Sequence, residues 1–328
     1  MLLRLSFSFC LLMALGACSI KNDYQKMTGT TRGTTFAITF RGTTDDFSKV
    51  QADSLFGVIE HSMSLWDSTS LLSQFNKAEK SQAIDEHFYN VLQKSFEIHQ
   101  QSDGAFDPTV GALINAYSFS NKNQPPLPSQ QTLDSLTQLV GLQKISFNDN
   151  QVEKEMPLVQ LDLNAIAQGY TVDVIASFLE NKGIEHYLVE VGGEVRAKGQ
   201  SSKEEPWEIG IKRPTLNEAN SLQTVVGLEN ASLSTSGNYR NFSEIVRKRI
   251  KPIIDPTTSK PVTHSTVSVT VIAPTCTEAD AWATAFTVLG KEKSLEIAKK
   301  FDFDLQIVSF EKGLFTITQT DGFKKIIR

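Results

Sequence analysis

The 328-residue chain is poor in cysteine and has no excess of basic residues. Of its three cysteines, Cys10 lies in an apolar N-terminal stretch and Cys18 ends that stretch, so only Cys276 remains for a folded domain. This excludes an internal disulfide, and a buried apolar role suits Cys276 better than a nucleophilic one because no Cys/His motif surrounds it. A net charge of -5 argues against a nucleic-acid partner, and the short RKRIK cluster from Arg247 to Lys251 fits a solvated loop or strand end.

The chain also lacks polar repeats and internal repeats of fixed period. With 40% hydrophobic and 21% charged residues, it has the composition of a globular protein that buries a large core. Disorder is therefore excluded for most of its length.

The N-terminus has the layout of an export signal. Arg4 precedes an apolar stretch from Leu5 to Leu15, which is too short to span a membrane as a helix. The sequence LGAC at its end is similar to the bacterial lipobox, which predicts that Cys18 is lipidated. The alternative is an ordinary cleavable signal. We expect a signal at residues 1–18, a polar tether at 19–28 and a folded domain at 29–328.

Hydrophobic periodicity predicts a mixture of strands and helices. Strands are expected at residues 32–42, 159–161, 187–191, 268–274, 304–310 and 313–320. Helices are expected within residues 45–66 and 87–104, after residue 164 up to a stop near Gly183, and at 276–290. The proline-rich segment 121–131 reads as a surface excursion.

The last of these helices carries an unusual polar pair. Asp280 and Thr284 are one turn apart and share a face with alanines, opposite a stripe of Trp282, Phe286 and Leu289. One interpretation is a metal site. The other is a capping box that starts at Thr277, with Thr284 bonded back to the carbonyl of Asp280.

Other polar turns are ambiguous when taken singly. Asp162 and Asn164 precede a helix whose Gly169 lets backbone approach a ligand, which suits a phosphate or a simple cap. Asp107 opens an Asp-Pro turn before another helix, and the sequence IDPTT holds a second such turn. Four hydroxyls just before Gly237 indicate an anion site or a polar loop.

Taken in order, these segments resemble the ApbE family of FAD:protein FMN transferases. The resemblance rests on GTTF, MSLWDSTSLLSQFN, GAFDPTVGALINAYSF, LDLNAIAQGYTVD, VEVGGEVRAKG, STSGNYRNF with IIDPTTSKPV, and EADAWATAF. It implies Mg²⁺-dependent transfer of FMN from FAD to a Thr or Ser of a target protein, with release of AMP. It also implies an α+β fold of mixed, largely antiparallel sheets flanked by helices, with an FAD cleft between two halves of one catalytic unit. Strand and helix order alone would also allow two smaller domains.

The resemblance also assigns site residues. The metal ligands would be the Asp280 carboxylate, the Thr284 hydroxyl and the backbone carbonyl of Ala165. The residues expected to contact FAD are Arg32, Trp66, Ala105, Phe106, Asp107, Asp162, Gln168 and Ile254. Trp66 and Phe106 are each either an apolar surface for a ring of FAD or a core aromatic.

Two positions depart from the family pattern. Gln168 stands where many members have a lysine, and Pro252 stands where the family often has a histidine, so the general base is not assigned. His264 is left out of the site, since a lone loop histidine is more often solvated. An FAD pyrophosphatase and a non-enzymatic flavin-binding lipoprotein stay open as alternatives. The implied partners are flavin-bearing subunits of membrane electron-transfer complexes, and the implied location is the periplasmic face of the cell envelope.

Overall fold

The computed structural model describes residues 24–31, 33–117, 128–212, 223–237 and 253–328. An eight-stranded antiparallel sheet forms the centre of this part of the chain. Its strands are β1 (Tyr24–Thr31), β2 (Thr34–Arg41), β6 (Tyr187–Val191), β7 (Glu194–Lys198), β10 (Ala231–Gly237), β13 (Thr266–Ala273), β14 (Asp304–Glu311) and β15 (Leu314–Gln319), in that spatial order.

Three small antiparallel sheets accompany the large one. They are formed by β3 (Ser81–Ala83), β5 (Gln151–Lys154) and β4 (Ile145–Phe147), by β8 (Trp207–Lys212) and β9 (Gln223–Leu228), and by β11 (Ile254–Asp255) and β12 (Lys260–Pro261).

The helices of the described residues surround these sheets. They are α1 (Lys49–Met63), α2 (Leu71–Lys77), α3 (Glu86–Gln101), α4 (Gly111–Tyr117), α5 (Gln130–Thr137), α6 (Asn164–Asn181), α7 (Cys276–Leu289), α8 (Lys291–Phe301) and α9 (Asp321–Lys325), with a 3-10 turn at Leu142–Lys144. None of them has the length and apolar character needed to cross a membrane. The predicted α+β class, with largely antiparallel sheets, is confirmed.

Helices α6 and α7 pack against each other and against the central strands β6, β7, β10 and β13. Alternation along β7 gives the sheet two different faces. Val195 and Ala197 join an apolar cluster with Trp207 of the β8–β9 hairpin, whereas Arg196 contacts Asp173 of α6. A buried polar layer therefore lies between the sheet and the two helices.

Gly169 permits the close approach of α6 and α7. A Cβ at this position would collide with the carbonyl oxygen of Cys276 and with the Cβ of Asp280. The glycine thus serves helix packing, and Cys276 is fully buried at the contact as expected.

Most of the predicted elements form, with three exceptions. Residues 159–161 make only an isolated bridge, between Gln160 and Val110, because the N–H of Val159 bonds within a turn and both backbone groups of Leu161 bond to the side chain of Asn76. The four hydroxyls before Gly237 lie on β10, inside the sheet, so the polar-loop interpretation is wrong. Strand β1 begins at Tyr24 and pairs along its length with β2, so residues 24–28 belong to the sheet rather than to a tether.

Candidate active site

A cleft of ≈770 Å³ opens beside the first two turns of α6. One wall comes from the end of α1 and the residues after it, and the other from the turns that join β1 to β2 and β6 to β7. The lining residues include Ile59, Met63, Trp66, Ala167, Gln168 and Gly192. An apolar cleft with a few polar groups is the usual form of a site for a large organic ligand.

Two residues predicted to contact FAD line this cleft. Trp66 is 77% exposed, so its ring is free to cover a ligand, and it is not the core aromatic of the alternative interpretation. Gln168 donates its amide Nε2 to the carbonyl oxygen of Val191 at 3.1 Å. A side chain at Gly192 would collide with this amide. Arg32 lies outside the described residues, but its neighbours Thr31 and Gly33 both line the cleft.

The segment from Ala105 to Asp107 does not line the cleft. The side chains of Ala105 and Phe106 are buried in the largest apolar cluster, so the core interpretation is correct for Phe106. Asp107 accepts hydrogen bonds from the backbone N–H and hydroxyl of Thr109, at 2.8 and 2.6 Å, and from the N–H of Leu142 at 3.2 Å. Contact of this segment with FAD stays a prediction.

The fold joins that segment to the start of α6. The N–H of Asp162 donates to the carbonyl oxygen of Pro108 at 2.7 Å, and the Oδ1 of Asp162 accepts from the N–H of Asn164 at 2.9 Å. Burial raises the pKa of Asp162, against the opposing effect of its hydrogen bonds with Asn164. Asp162 is therefore bonded to a residue that lines the cleft, and its contact with FAD stays a prediction.

Ile254 and His264 lie elsewhere. Ile254 is buried in a separate small cluster with Leu113, Leu133 and Val140. The His264 Nε2 is 3.1 Å from the carbonyl oxygen of Val288, near the C-terminal end of α7. The exclusion of His264 from the site and the contact between Ile254 and FAD both stay predictions.

The start of α7 decides how Asp280 is used. Thr275 is the N-cap, and its hydroxyl accepts from the N–H of Glu278 at 3.3 Å. Asp280 therefore lies beyond the third helical position, and its Oδ2 accepts instead from the N–H of Gly169 on α6 at 2.9 Å. The capping-box interpretation is wrong for Asp280 because the helix begins two residues earlier than that interpretation requires.

The three predicted metal ligands lie on α6 and α7, the two helices that the Gly169–Asp280 hydrogen bond joins. Ala165 precedes Gly169 by one helical turn, so its carbonyl is directed toward the N–H that Asp280 also contacts. Thr284 follows Asp280 by one turn and is partly exposed. Its hydroxyl makes no hydrogen bond with the described residues, whereas the neighbouring Thr287 bonds back to Ala283 at 2.7 Å.

Comparison with known proteins identifies the family. The ApbE family model matches residues 32–308. The FAD:protein FMN transferase of Escherichia coli K12 is 35% identical over 81% of this chain and 77% of its own length, and that of Haemophilus influenzae is 32% identical over 96% and 94%.

Solved structures agree with this. The flavin transferase ApbE from Vibrio cholerae superposes with a TM-score of 0.83 at 29% identity, over 93% of this chain and 99% of the other. The apo form of the Pseudomonas stutzeri flavinyl transferase ApbE gives 0.83 at 30% identity, over 93% and 96%. The chain belongs to the ApbE family. Its predicted class, a transferase enzyme, is confirmed by this membership.

The donors at the α6–α7 contact of this ApbE-family chain fit a hard divalent cation. Carboxylate, hydroxyl and carbonyl oxygens are the ligands that Mg²⁺ accepts. Asp280 is only 7% exposed, and no Lys or Arg among the described residues forms an ion pair with it. In the same part of the chain, no three His, Cys, Asp or Glu side chains form a metal cluster by themselves.

Sequence reasoning missed one buried carboxylate that lies beside Asp280. Glu194, the first residue of β7, is 9% exposed and lies opposite Ser234 of β10. The hydroxyl of Ser234 donates to the Oε1 of Glu194 at 3.5 Å and also hydrogen-bonds to Asp280. The available signal was the alternation of VEVGGEVRAKG, which places Glu194 and Arg196 on one face of a buried strand.

Burial governs the charge of both acids. It raises the pKa of Asp280 to about 7, while the hydrogen bonds from Gly169 and Ser234 act in the opposite direction. Burial also raises the pKa of Glu194 to about 8, and the negative charge of Asp280 adds to that rise. Each carboxylate therefore retains a proton more strongly than an exposed acid, unless a cation balances its charge.

Proposed function

We propose that this flavin transferase moves the FMN part of FAD to a Thr or Ser hydroxyl of a target protein, in a Mg²⁺-dependent reaction that releases AMP. The observation that supports this best is the position of Asp280. Its buried carboxylate has no fixed cation among the described residues, and it contacts the same helix, α6, that lines the cleft. A diphosphate in the cleft and a cation held by Asp280 would lie on adjoining parts of α6.

The reaction requires alignment and neutralisation of charge more than covalent work by the protein. The target hydroxyl oxygen bonds to the phosphorus of the FMN moiety, and the bond from that phosphorus to the bridging oxygen breaks. AMP leaves with the electron pair. The hydroxyl proton passes to a base that the described residues do not identify, and Pro252, which replaces the usual histidine, lies outside them.

The cleft residues hold the substrate in this scheme. Trp66 gives an exposed aromatic surface for a ring of FAD, and Gln168 positions a polar amide beside the turn at Gly192. Asp280, Thr284 and the carbonyl of Ala165 would hold Mg²⁺. The bound ion would supply positive charge to the diphosphate oxygens and to the leaving AMP.

The transfer is tested by weighing the acceptor. The full-length protein, purified in detergent, is incubated with FAD, Mg²⁺ and a candidate acceptor subunit, and the acceptor is analysed by intact-mass spectrometry. An acceptor that gains one FMN, with AMP in the supernatant, is the expected result. Free FMN and AMP with an unmodified acceptor would identify an FAD pyrophosphatase, and unchanged FAD would identify a flavin-binding protein.

The partners and location form part of the same proposal. The acceptors would be flavin-bearing subunits of membrane electron-transfer complexes, and the protein would be anchored at the periplasmic face of the envelope through lipidated Cys18. The support is the apolar stretch and LGAC sequence at the N-terminus.

A further inference from the structure

Glu194 is a buried acid that the proposed reaction does not use. It directly follows the Gly192-Gly193 turn, one residue of which lines the cleft. Its oxygen Oε2 is buried and has no hydrogen-bond partner among the described residues. A buried carboxylate oxygen without a donor is costly, so its retention calls for a partner other than the described residues.

Among the described residues, the side chain that donates to Glu194, besides its own backbone N–H, is shared with Asp280. Ser234 lies across the strand pair and contacts both Glu194 and Asp280. A hydroxyl carries a single hydrogen, so it cannot donate to both carboxylates at once. Its 3.5 Å distance to Glu194 is long for such a bond.

No positive side chain of the described residues compensates for this missing donor. Within the described residues, neither Glu194 nor Asp280 forms an ion pair with a Lys or Arg. Arg196, two residues along β7 on the same face, is already engaged with Asp173 and Glu180, at 2.8 and 3.3 Å. Among the described residues, two carboxylates therefore meet at Ser234 and no positive side chain pairs with either of them.

We infer that Glu194 is a second carboxylate of the cation site, facing from the sheet the same divalent cation that Asp280 faces from α7. Two carboxylates balance the charge of one divalent ion, and the free Oε2 supplies an oxygen to the ion or to one of its bound waters. This inference rests on the proposed cation at Asp280. Glu194 would add a second negative charge to the three expected ligands, so the cation should bind in the absence of FAD.

The test measures Mn²⁺ binding directly, without nucleotide and without turnover. The full-length protein is stripped of metal and titrated with Mn²⁺, and free Mn²⁺ is followed by electron paramagnetic resonance. Glu194→Gln should weaken binding by about 10- to 100-fold, the usual effect of losing a supporting acidic partner of a metal. Asp280→Asn should weaken it at least as much.

Glu190→Gln is the matched control. Glu190 lies on β6 and pairs with Val195, so its side chain is on the other face of the sheet from Glu194. The Glu190→Gln substitution removes the same charge at a nearby position. Mn²⁺ binding should therefore stay within about twofold of wild type if only long-range electrostatics change. Each variant is checked by circular dichroism. If Glu194→Gln does not fold, Glu194→Asp, which keeps the charge but withdraws the oxygens, should also weaken binding.

The outcomes separate the two proposals. Wild-type affinity in the folded Glu194 variant, with binding lost in Asp280→Asn, would overturn this inference and leave the cation at Asp280 intact. Equal weakening by Glu190→Gln and Glu194→Gln would also overturn it, because charge alone would then account for the effect. Wild-type affinity in Asp280→Asn would overturn both this inference and the metal assignment, whereas flavin transfer is judged independently by acceptor mass.

Discussion

Asp173 and Asp280 are equally buried acids on the two helices of one contact, yet their surroundings differ. Asp173, on α6, accepts from Arg196 at 2.8 Å and from the N–H groups of Cys276 and Thr277 at 3.0 and 2.8 Å. Asp280, on α7, has one backbone N–H and a shared hydroxyl. Their exposed fractions are 9% and 7%, so burial does not distinguish them.

The difference lies in what balances each charge. Asp173 is neutralised by an arginine and by the N-terminus of α7, where the helix dipole favours an anion. Asp280 and its neighbour Glu194 have no such partner among the described residues. The α6–α7 contact therefore has a neutralised structural ion pair at Asp173, whereas its end at Asp280 is suited to binding a cation from solution.

The first prediction removes the ion pair between Asp173 and Arg196. Asp173→Asn should lower the free energy of unfolding by about 3–5 kcal/mol, because Arg196 loses its nearer carboxylate and an amide nitrogen would face N–H donors. Denaturant titration measures this. Asp53→Asn, at the exposed pair with Lys49, is the control and should change stability by less than about 1 kcal/mol. A loss of less than about 1 kcal/mol at Asp173 would show that the pair is not structural.

The second prediction makes the same Asp-to-Asn substitution at Asp280. Asp280→Asn should reduce flavin transfer by about 100-fold or more while the protein remains folded, since it removes the charge that would balance the cation. Transfer is measured against Mg²⁺ concentration in wild type and variant. A normal rate with a normal Mg²⁺ response, or wild-type activity that survives thorough chelation, would contradict the metal assignment.

The third prediction uses pH. The pKa values of Asp280 and Glu194 rise to about 7 and about 8 in the folded protein, from ordinary values of 3.8 and 4.5. The folded state thus holds protons that the unfolded state releases, and metal-free stability should fall as pH rises through this interval. Denaturant titrations of the metal-free protein between about pH 5 and about pH 9 test this, a range that contains both shifted values. An unchanged slope in Asp280→Asn would contradict it.

The fourth prediction adds a positive charge near the Asp280 end of the α6–α7 contact. Gln168 is next to Gly169 on α6 and lines the cleft. Gln168→Lys should tighten FAD binding by up to about 1.5–3 kcal/mol, the value of a charge-assisted hydrogen bond, if residue 168 faces the diphosphate. Fluorescence titration with FAD at low salt measures this, with the uncharged Gln168→Met as control. Unchanged affinity of the lysine variant would place the diphosphate elsewhere.

The smallest effect on the α6–α7 contact is expected from a substitution outside the folded domain. Cys18→Ser should move the protein from the membrane fraction to the soluble fraction and leave its transfer rate unchanged, because the proposed anchor precedes the folded domain. Fractionation and the acceptor-mass assay test the two halves of this prediction. A variant that remains membrane-bound after signal cleavage would contradict lipidation.

The sequence by itself determined the local elements and the family. Helical periodicity located α1, α3, α6 and α7, and alternation located β13, β14 and β15, because these patterns depend only on neighbours along the chain. The Asp-Pro turns were also predictable. Asp107 bonds within its own turn, and Asp255 likewise accepts from Thr257 at 2.9 Å. The motifs then gave the ApbE resemblance that the comparisons confirmed.

Only the tertiary structure decided how the buried acids are used. A carboxylate on an alanine-lined face is compatible with a cap, an ion pair or a cation site, and the choice depends on partners distant along the chain. Asp280 meets Gly169 and Ser234, whereas Asp173 meets Arg196. Glu194 attracted no notice in the sequence because its missing donor becomes evident only when β7, β10 and α7 are packed together. Burial and the supply of donors are properties of that packing, and local periodicity does not encode them.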